Sequence, residues 1–204
     1  MRVFIGMECS GEIRRAFEAE GHEAYSCDLK PAEDGSPFHI QADVFDVLPL
    51  IRPDIAILHP VCQFLSSSGY HWCYRDPARL LEVERAVDDF MKCVSVSNYV
   101  RRVVIENPIG IMSSRYRKPD QIIQPYRFGH NASKATCLWL FNLPLLQDTE
   151  YIEPRIVNGK PRWANQTDSG QNRLGPSQQR AADRSRTYSG IARAMARQWG
   201  KAKS

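Results

Sequence analysis

Cys62 lies two residues past Pro60 in the stretch HPVCQFLSSSG at 59–69, directly after the apolar run Ile55-Ala56-Ile57-Leu58. A short apolar run closed by a proline reads as a buried strand, and the serines that follow read as a polar turn. The thiol therefore sits where a loop leaves a sheet, not on an apolar face. A second pair of chemistry-bearing residues, Glu106-Asn107, follows Arg102-Val103-Val104-Ile105 and is halted by Pro108. Thiolates are strong nucleophiles at modest pKa. A carboxylic acid nearby can give a proton to a ring nitrogen as a nucleophile adds. Together these groups suit attack on an electron-poor aromatic ring. A cysteine-protease arrangement would need a histidine base, and His59, His71 and His130 are available. No protease signature surrounds Cys62, however. His59 and His130 read instead as hydrogen-bonded structural or lining residues.

A third group of residues forms a cradle. The strand-like RVFIG at 2–6 runs into the small-residue turn MECSG at 7–11, which puts Gly6, Glu8, Ser10 and Gly11 at one bend. Glycine there lets the backbone approach a ligand, and the following helix N-terminus favours a carboxylate or phosphate. Asp28 ends the next strand, about one βαβ step later, where an acid can accept both ribose hydroxyls. Neither G-x-G-x-x-G nor G-x-x-x-x-G-K-[ST] is present. A nucleoside without phosphates, such as S-adenosylmethionine, fits this cradle better than a dinucleotide or a nucleoside triphosphate.

The elements that must position these groups follow from periodicity. Strands are expected at 2–6, 23–29, 54–58, 102–106 and 137–141, with a short element at 41–44 followed by a turn. Helices are expected at 12–20, with Ile13 and Phe17 on one face, at about 78–97, and at 183–200, where Ile191, Met195 and Trp199 make one apolar stripe. Strand and helix in alternation predict an α/β fold with a mainly parallel sheet and helices on both faces. In such sheets ligands bind outside the carboxyl ends of the strands. Ser10, Asp28, Asp43, Cys62, Glu106 and Asn107 all fall at or just past such an end, so they should share one crevice.

Bulk composition narrows the class. The chain has 204 residues, 43% of them hydrophobic, enough for one compact domain with a real core. No run approaches the roughly 18–20 apolar residues of a membrane span. The N-terminal stretch is too short in apolar length for a signal peptide, which points to a cytoplasmic protein. The six cysteines form no C-x-x-C pair, so no zinc site is expected, and reduced thiols are expected rather than disulfides. The net charge of +4 is unevenly spread: residues 151–204 hold 11 Lys and Arg against 3 Asp and Glu. A basic, weakly apolar segment of this kind is a plausible polyanion-binding face.

At this point the motifs resemble those of a known family, the DNA cytosine-C5 methyltransferases. FIGMECSGEIRRAFEAEGHEAYSCDL is similar to the family's opening, which binds S-adenosylmethionine. ADV at 42–44 resembles the segment whose acid, here Asp43, contacts the cofactor's adenine. HPVCQFLSSSG resembles the nucleophile loop, IENP the Glu-Asn-Val segment, and RSRTYSGIARAMARQW at 184–199 the C-terminal helix that completes the cofactor pocket. FGHNASKATCLWLFNLP at 128–144 resembles the later strand with its Gln-x-Arg-x-Arg pattern. The match covers most of the chain in order, and the overall pattern is most similar to short phage and prophage members.

The resemblance implies a Rossmann-like, S-adenosylmethionine-dependent methyltransferase fold acting on DNA in a bacterial host's cytoplasm. Cys62 would add to C6 of cytosine, Glu106 would engage N3, Asn107 would hold the loop and Lys134 would supply the remaining positive charge. Gly6, Glu8, Ser10, Gly11, Asp28, Asp43 and Pro60 would line the cofactor. It also implies a division into a catalytic domain at 1–144, a short basic loop-rich segment at 145–183, and a C-terminal helix at 184–204. Three departures stand out: Val61 replaces a proline before the nucleophile, Ala132, Lys134 and Thr136 replace the Gln-x-Arg-x-Arg residues, and the recognition region is short. Arg155, Lys160, Arg162, Arg173 and Arg180 in that region are candidates for phosphate contacts. A homo-oligomer or a partner protein could complete recognition. Two other readings stay open: modification of a free pyrimidine nucleotide or RNA, and a methyltransferase-like binding module without activity. Tyr70, Trp72 and Tyr74 would either stack on a base or pack as a lid.

Overall fold

The computed structural model describes residues 1–76, 78–175 and 185–201. Seven strands form one sheet: β1 (Arg2–Gly6), β2 (Glu23–Asp28), β3 (His39–Gln41), β4 (Ile55–Leu58), β5 (Arg102–Pro108), β6 (Gln121–Ile123) and β7 (Thr136–Phe141). Their order across the sheet is β3-β2-β1-β4-β5-β7-β6. The β1, β2, β3, β4 and β5 pairings are parallel, and β7 runs antiparallel to both β5 and β6. This is an α/β, Rossmann-like fold whose strand order reverses between β1 and β4.

Side chains on neighbouring positions of a strand point to opposite faces, and the core divides accordingly. Phe4, Ala56, Leu58, Val103 and Ile105 face one side, where α2 (Val44–Ile51) and α4 (Arg79–Ser95) cover them with Leu48, Val83, Phe90 and Cys93. Val3, Ile5, Ile55, Ile57 and Val104 face the other, where α1 (Glu12–Ala19) and α6 (Ser189–Trp199) bring Ile13, Phe17, Ile191, Met195 and Trp199. The central strands are therefore apolar on both faces, as a covered parallel sheet requires. Two short helices, α3 (Ser67–Tyr70) and α5 (Met112–Arg115), sit after β4 and β5.

Several elements differ from the sequence expectation. The segment at 41–44 divides: His39–Gln41 is a strand, and Asp43 caps α2, accepting the Phe45 amide on its side chain. The three-residue β6 and the hairpin of β8 (Arg155–Val157) with β9 (Lys160–Arg162) were not expected. The last helix starts at Ser189, with Tyr188 extended before it; positions 183 and 184 of the expected helix lie outside the described residues, as does Arg180. Among the described residues, no helix is long and apolar enough to cross a membrane.

Candidate active site

The crevice at the strand reversal is built from three strand ends. After β1, Met7 takes a positive φ of 62° and its amide donates to the Cys27 carbonyl at 2.7 Å, which turns the chain sharply. Glu8 is buried, its Oε1 accepts the Ser10 hydroxyl, and its Oε2 has no partner among the described residues. The Ser10 oxygen also accepts the Glu12 amide at 3.3 Å, and Gly11 is the cap residue of α1. Gly6 is the last residue of β1, and its carbonyl accepts the His59 amide at 3.0 Å, tying the ends of β1 and β4 together.

The loop after β4 carries Cys62, which is half-buried. Its carbonyl accepts the Leu65 and Ser66 amides at 3.2 and 3.0 Å. Asn107 at the end of β5 donates from Nδ2 to the Pro60 carbonyl at 2.9 Å, which fixes the approach to the cysteine. Two further bonds staple the loop after β4 to the loop after β5: Ser67 N to Ile109 O at 3.1 Å and Ile111 N to Leu65 O at 2.9 Å. Gly110 permits the close approach, because a Cβ there would collide with the Leu65 carbonyl. Val61, beside Cys62, is exposed.

Beside it, His59 Nδ1 lies 3.7 Å from Glu106 Oε2. Glu106 and Asn107 are buried. Among the described residues, His59 Nε2, Glu106 Oε2 and Asn107 Oδ1 have no hydrogen-bond partner. A buried polar atom left unpaired costs roughly 1–3 kcal/mol. Four such atoms, with Glu8 Oε2, at the carboxyl ends of three neighbouring strands are the signature of a surface shaped for a polar ligand. Thr187 Oγ1, in the segment leading into α6, is buried and unpartnered in the same way.

The other expected residues are spread around this centre. Asp28 ends β2, and its Oδ1 accepts the Lys30 amide at 2.9 Å. Asp43 Oδ1 accepts the Phe45 amide at 2.8 Å, so its carboxylate also serves as the helix cap. Lys134 precedes β7, and its Nζ donates to the Arg186 carbonyl at 3.1 Å. Ala132 and Thr136 are buried. Arg155, Arg162 and Arg173, expected on phosphates, turn inward to their own segment: Arg155 bonds Asp168 and the Gln166 carbonyl, Arg162 Nε the Asp168 carbonyl at 3.1 Å, and Arg173 Nε the Gln166 carbonyl at 2.8 Å.

The cradle after β1 is electronegative. Burial pushes the Cys9 thiol up from its ordinary range, and the charges of Asp28, Glu33 and Glu8 push it further. Sequence reasoning missed two parts of this region. Arg14, buried on the inner face of α1, bonds Ser26 Oγ at 3.3 Å and Glu18 at 2.9 Å and also pairs with Asp34. Arg186 pairs with Glu33, so the segment before α6 is clasped by Glu33 on one side and Lys134 on the other. The only trace of the first is an arginine beside Ile13 on a short amphipathic helix; the second joins residues 153 apart and leaves none.

No protein-family model matches the chain, and no curated protein sequence does. Many solved structures overlay in part, among them the following three. A candidate DNA modification methyltransferase encoded within an E. coli prophage is 14% identical, with a TM-score of 0.45 over 69% of this chain and 46% of that one. The Entamoeba histolytica methyltransferase EhMeth is 13% identical, with a TM-score of 0.45 over 75% of this chain and 58% of that one. A triple mutant of Spodoptera frugiperda DNMT2 is 13% identical, with a TM-score of 0.41 over 79% of this chain and 57% of that one. The chain thus spans about half the length of the solved proteins it resembles.

Chemically, the crevice offers a thiol on a pinned loop, a buried carboxyl with an imidazole beside it, and an amide oxygen. Next to these is an acidic cradle. The first set can receive a flat polar ring; the second favours a cationic ligand.

Proposed function

We propose that the protein is an S-adenosylmethionine-dependent methyltransferase that modifies C5 of cytosine in DNA. The observation that carries the reading is the convergence of partnerless buried atoms of His59, Glu106 and Asn107 beside the loop that bears Cys62. A base with ring nitrogens and an exocyclic amine supplies the missing partners. The cradle fits the cofactor on its charge: the carboxylates of Glu8 and Asp28 suit a molecule with a sulfonium and an ammonium group, and they disfavour phosphates. In this reading Gly6, Glu8, Ser10, Gly11 and Pro60 line the cofactor's amino-acid end, Asp28 takes the ribose hydroxyls, and Asp43 neighbours the adenine.

The bound cofactor supplies an electrophilic methyl group. This chain's residues do the rest. Cys62 adds as thiolate to C6 of cytosine. Glu106 donates a hydrogen bond or proton to N3 and draws off the charge that develops. Asn107 holds the Pro60 carbonyl and so fixes the path of the nucleophile loop. His59 Nδ1 lies 3.7 Å from Glu106 Oε2, a neighbour of the acid and not its hydrogen-bond partner. After methylation, loss of the C5 proton restores the ring and releases the thiolate. A cytosine in duplex DNA must first be flipped out.

The inward-turned Arg155, Arg162 and Arg173 favour a second reading, the same chemistry on a free pyrimidine nucleotide. One experiment separates the two. Protein is incubated with methyl-labelled S-adenosylmethionine and either mixed-sequence duplex DNA or deoxycytidine monophosphate, and the products are digested to nucleosides. Label in 5-methylcytosine from DNA, absent with Cys62→Ser, supports the first reading. Label from the nucleotide alone supports the second. No label with either substrate, despite cofactor binding by calorimetry, refutes both.

A further inference from the structure

Helix α6 presents Arg193 and Arg197 four residues apart, and Lys201 follows just past its C-cap Gly200, all three exposed. Four-residue steps keep side chains on one helix face. Arg193, Arg197 and Lys201 line a cleft of about 480 Å³ together with Phe128, Thr149 and Glu150. The cleft thus holds three cations and one carboxylate.

The usual reason for basic residues near the end of a helix is the macrodipole, which favours cations in the last turn. That accounts for Arg197, whose Nε also bonds Glu20 at 2.9 Å, and for Lys201. It does not account for Arg193, one turn from the N-terminus of α6. There its charge adds to burial in pushing the pKa of His130 down. His130 stays neutral as a result and accepts the Gly190 amide at 2.9 Å. Arg193 donates to Ser189 Oγ at 3.2 Å, and among the described residues no carboxylate pairs with Arg193 or Lys201. A cation held where the helix opposes it, in no ion pair among the described residues and with Glu150 the one carboxylate lining its cleft, is placed for an anion from outside.

The dimensions suggest which anion. Arg193 and Arg197 lie about 6 Å apart along α6, roughly two nucleotide steps of one strand at about 3.4 Å each. The cleft reaches Gly190, whose amide bonds His130, close to the Arg186 segment that Lys134 holds.

We propose that this cleft seats the phosphodiester backbone of a DNA substrate, outside the crevice where the base reacts. The inference rests on the nucleic-acid reading above. It assigns to α6 a positioning task that the 145–175 segment, with its arginines engaged internally, leaves open. Glu150 sets the limit on affinity, since its carboxylate faces the same backbone.

The test uses the full chain and a fluorescein-labelled mixed-sequence 20-base-pair duplex, titrated by anisotropy between 50 and 250 mM NaCl. Arg193→Gln with Lys201→Gln is compared with Arg85→Gln with Lys92→Gln on α4, which removes the same charge from another face. We expect the α6 pair to weaken binding about tenfold and to lower the slope of log K against log salt by about 1.8, at 0.9 per phosphate contact. Glu150→Gln should tighten binding, and the α4 pair should change little. Equal loss from both pairs, or an unchanged slope, overturns the proposal. A DNA complex that depends on α6 but yields no 5-methylcytosine leaves the cleft standing and removes the enzymatic reading. 5-Methylcytosine formed with α6 variants that bind like the parent does the reverse.

Discussion

Glu106 and Asn107 are adjacent in sequence but do different things. Glu106 keeps a carboxyl oxygen unpartnered in the crevice, while Asn107 uses its Nδ2 to hold the Pro60 carbonyl. Their substitutions should therefore separate. Glu106→Gln removes the acid but preserves shape, and methyl transfer to DNA should fall about 10²- to 10⁴-fold, the range of general acid catalysis. Cofactor affinity by calorimetry should not change; a loss of both together would contradict the assignment. Asn107→Ala should act on Cys62 only through the loop. We expect turnover to fall with KM nearly constant, and alkylation of Cys62 by a neutral haloacetamide to change in rate because the loop is no longer pinned. An unchanged alkylation rate would argue that the Pro60 bond is incidental. The placement of Cys62, Glu106 and Asn107 at strand ends was legible in the sequence because each falls at or shortly after an apolar run, and a strand end in a parallel sheet has only one place to face. Arg14 and the Arg186–Glu33 clasp were not, since a pairing across the fold has no local pattern.

At the scale of elements, α6 depends on close approach at its first turn. A Cβ on Gly190 would collide with the Phe128 carbonyl and come within 3.0 Å of the His130 ring. Gly to Ala inside a helix ordinarily stabilises by about 1 kcal/mol. Here the sign should reverse: Gly190→Ala should destabilise by about 1–3 kcal/mol, as overpacking does, measured by urea unfolding. A stabilised variant would mean that the helix end is not pressed on this loop. The length and apolar stripe of α1, α4 and α6 made them visible in the sequence, because their buried residues repeat at helical spacing. Helix α2 was read as a turn: Pro49 interrupts VFDVLPLI, and Asp43 read as a site residue before it was seen as a cap. The strands β6, β8 and β9 have three residues each, too few for an alternation to register.

For the whole molecule, the parallel class of the sheet follows from alternating strands and helices, but the order β3-β2-β1-β4-β5-β7-β6 does not. Strand order is decided by contacts among segments far apart, such as β5 with β7. Burying groups on both faces of that sheet has a consequence for stability against pH. Burial pushes the Cys93 thiol up to about 12 and those of Cys27 and Cys137 to about 11, from an ordinary 9.0. Below pH 9 these thiols are neutral whether folded or unfolded, and their burial carries no ionic penalty. As pH rises above 9 the unfolded chain loses protons that the folded one keeps, so stability falls progressively toward pH 11–12. On the acid side, burial and then the Arg193 charge push His130 below its ordinary 6.5. The unfolded chain gains that proton first, so stability declines as pH drops through 6.5. Asp120 adds to this further down: burial would raise its pKa, but Arg117 and the Leu140 amide hold it below 3.8. The expected profile is a plateau between about pH 6.5 and 9 with a fall on either side. Urea midpoints from pH 5 to 11 measure it. Cys93→Ala should flatten the alkaline flank and leave the acid flank alone, because its thiol is the group shifted furthest upward. A midpoint that rises from pH 9 to 11, or an alkaline flank that Cys93→Ala does not alter, would show that these thiols are already open to solvent in the native state.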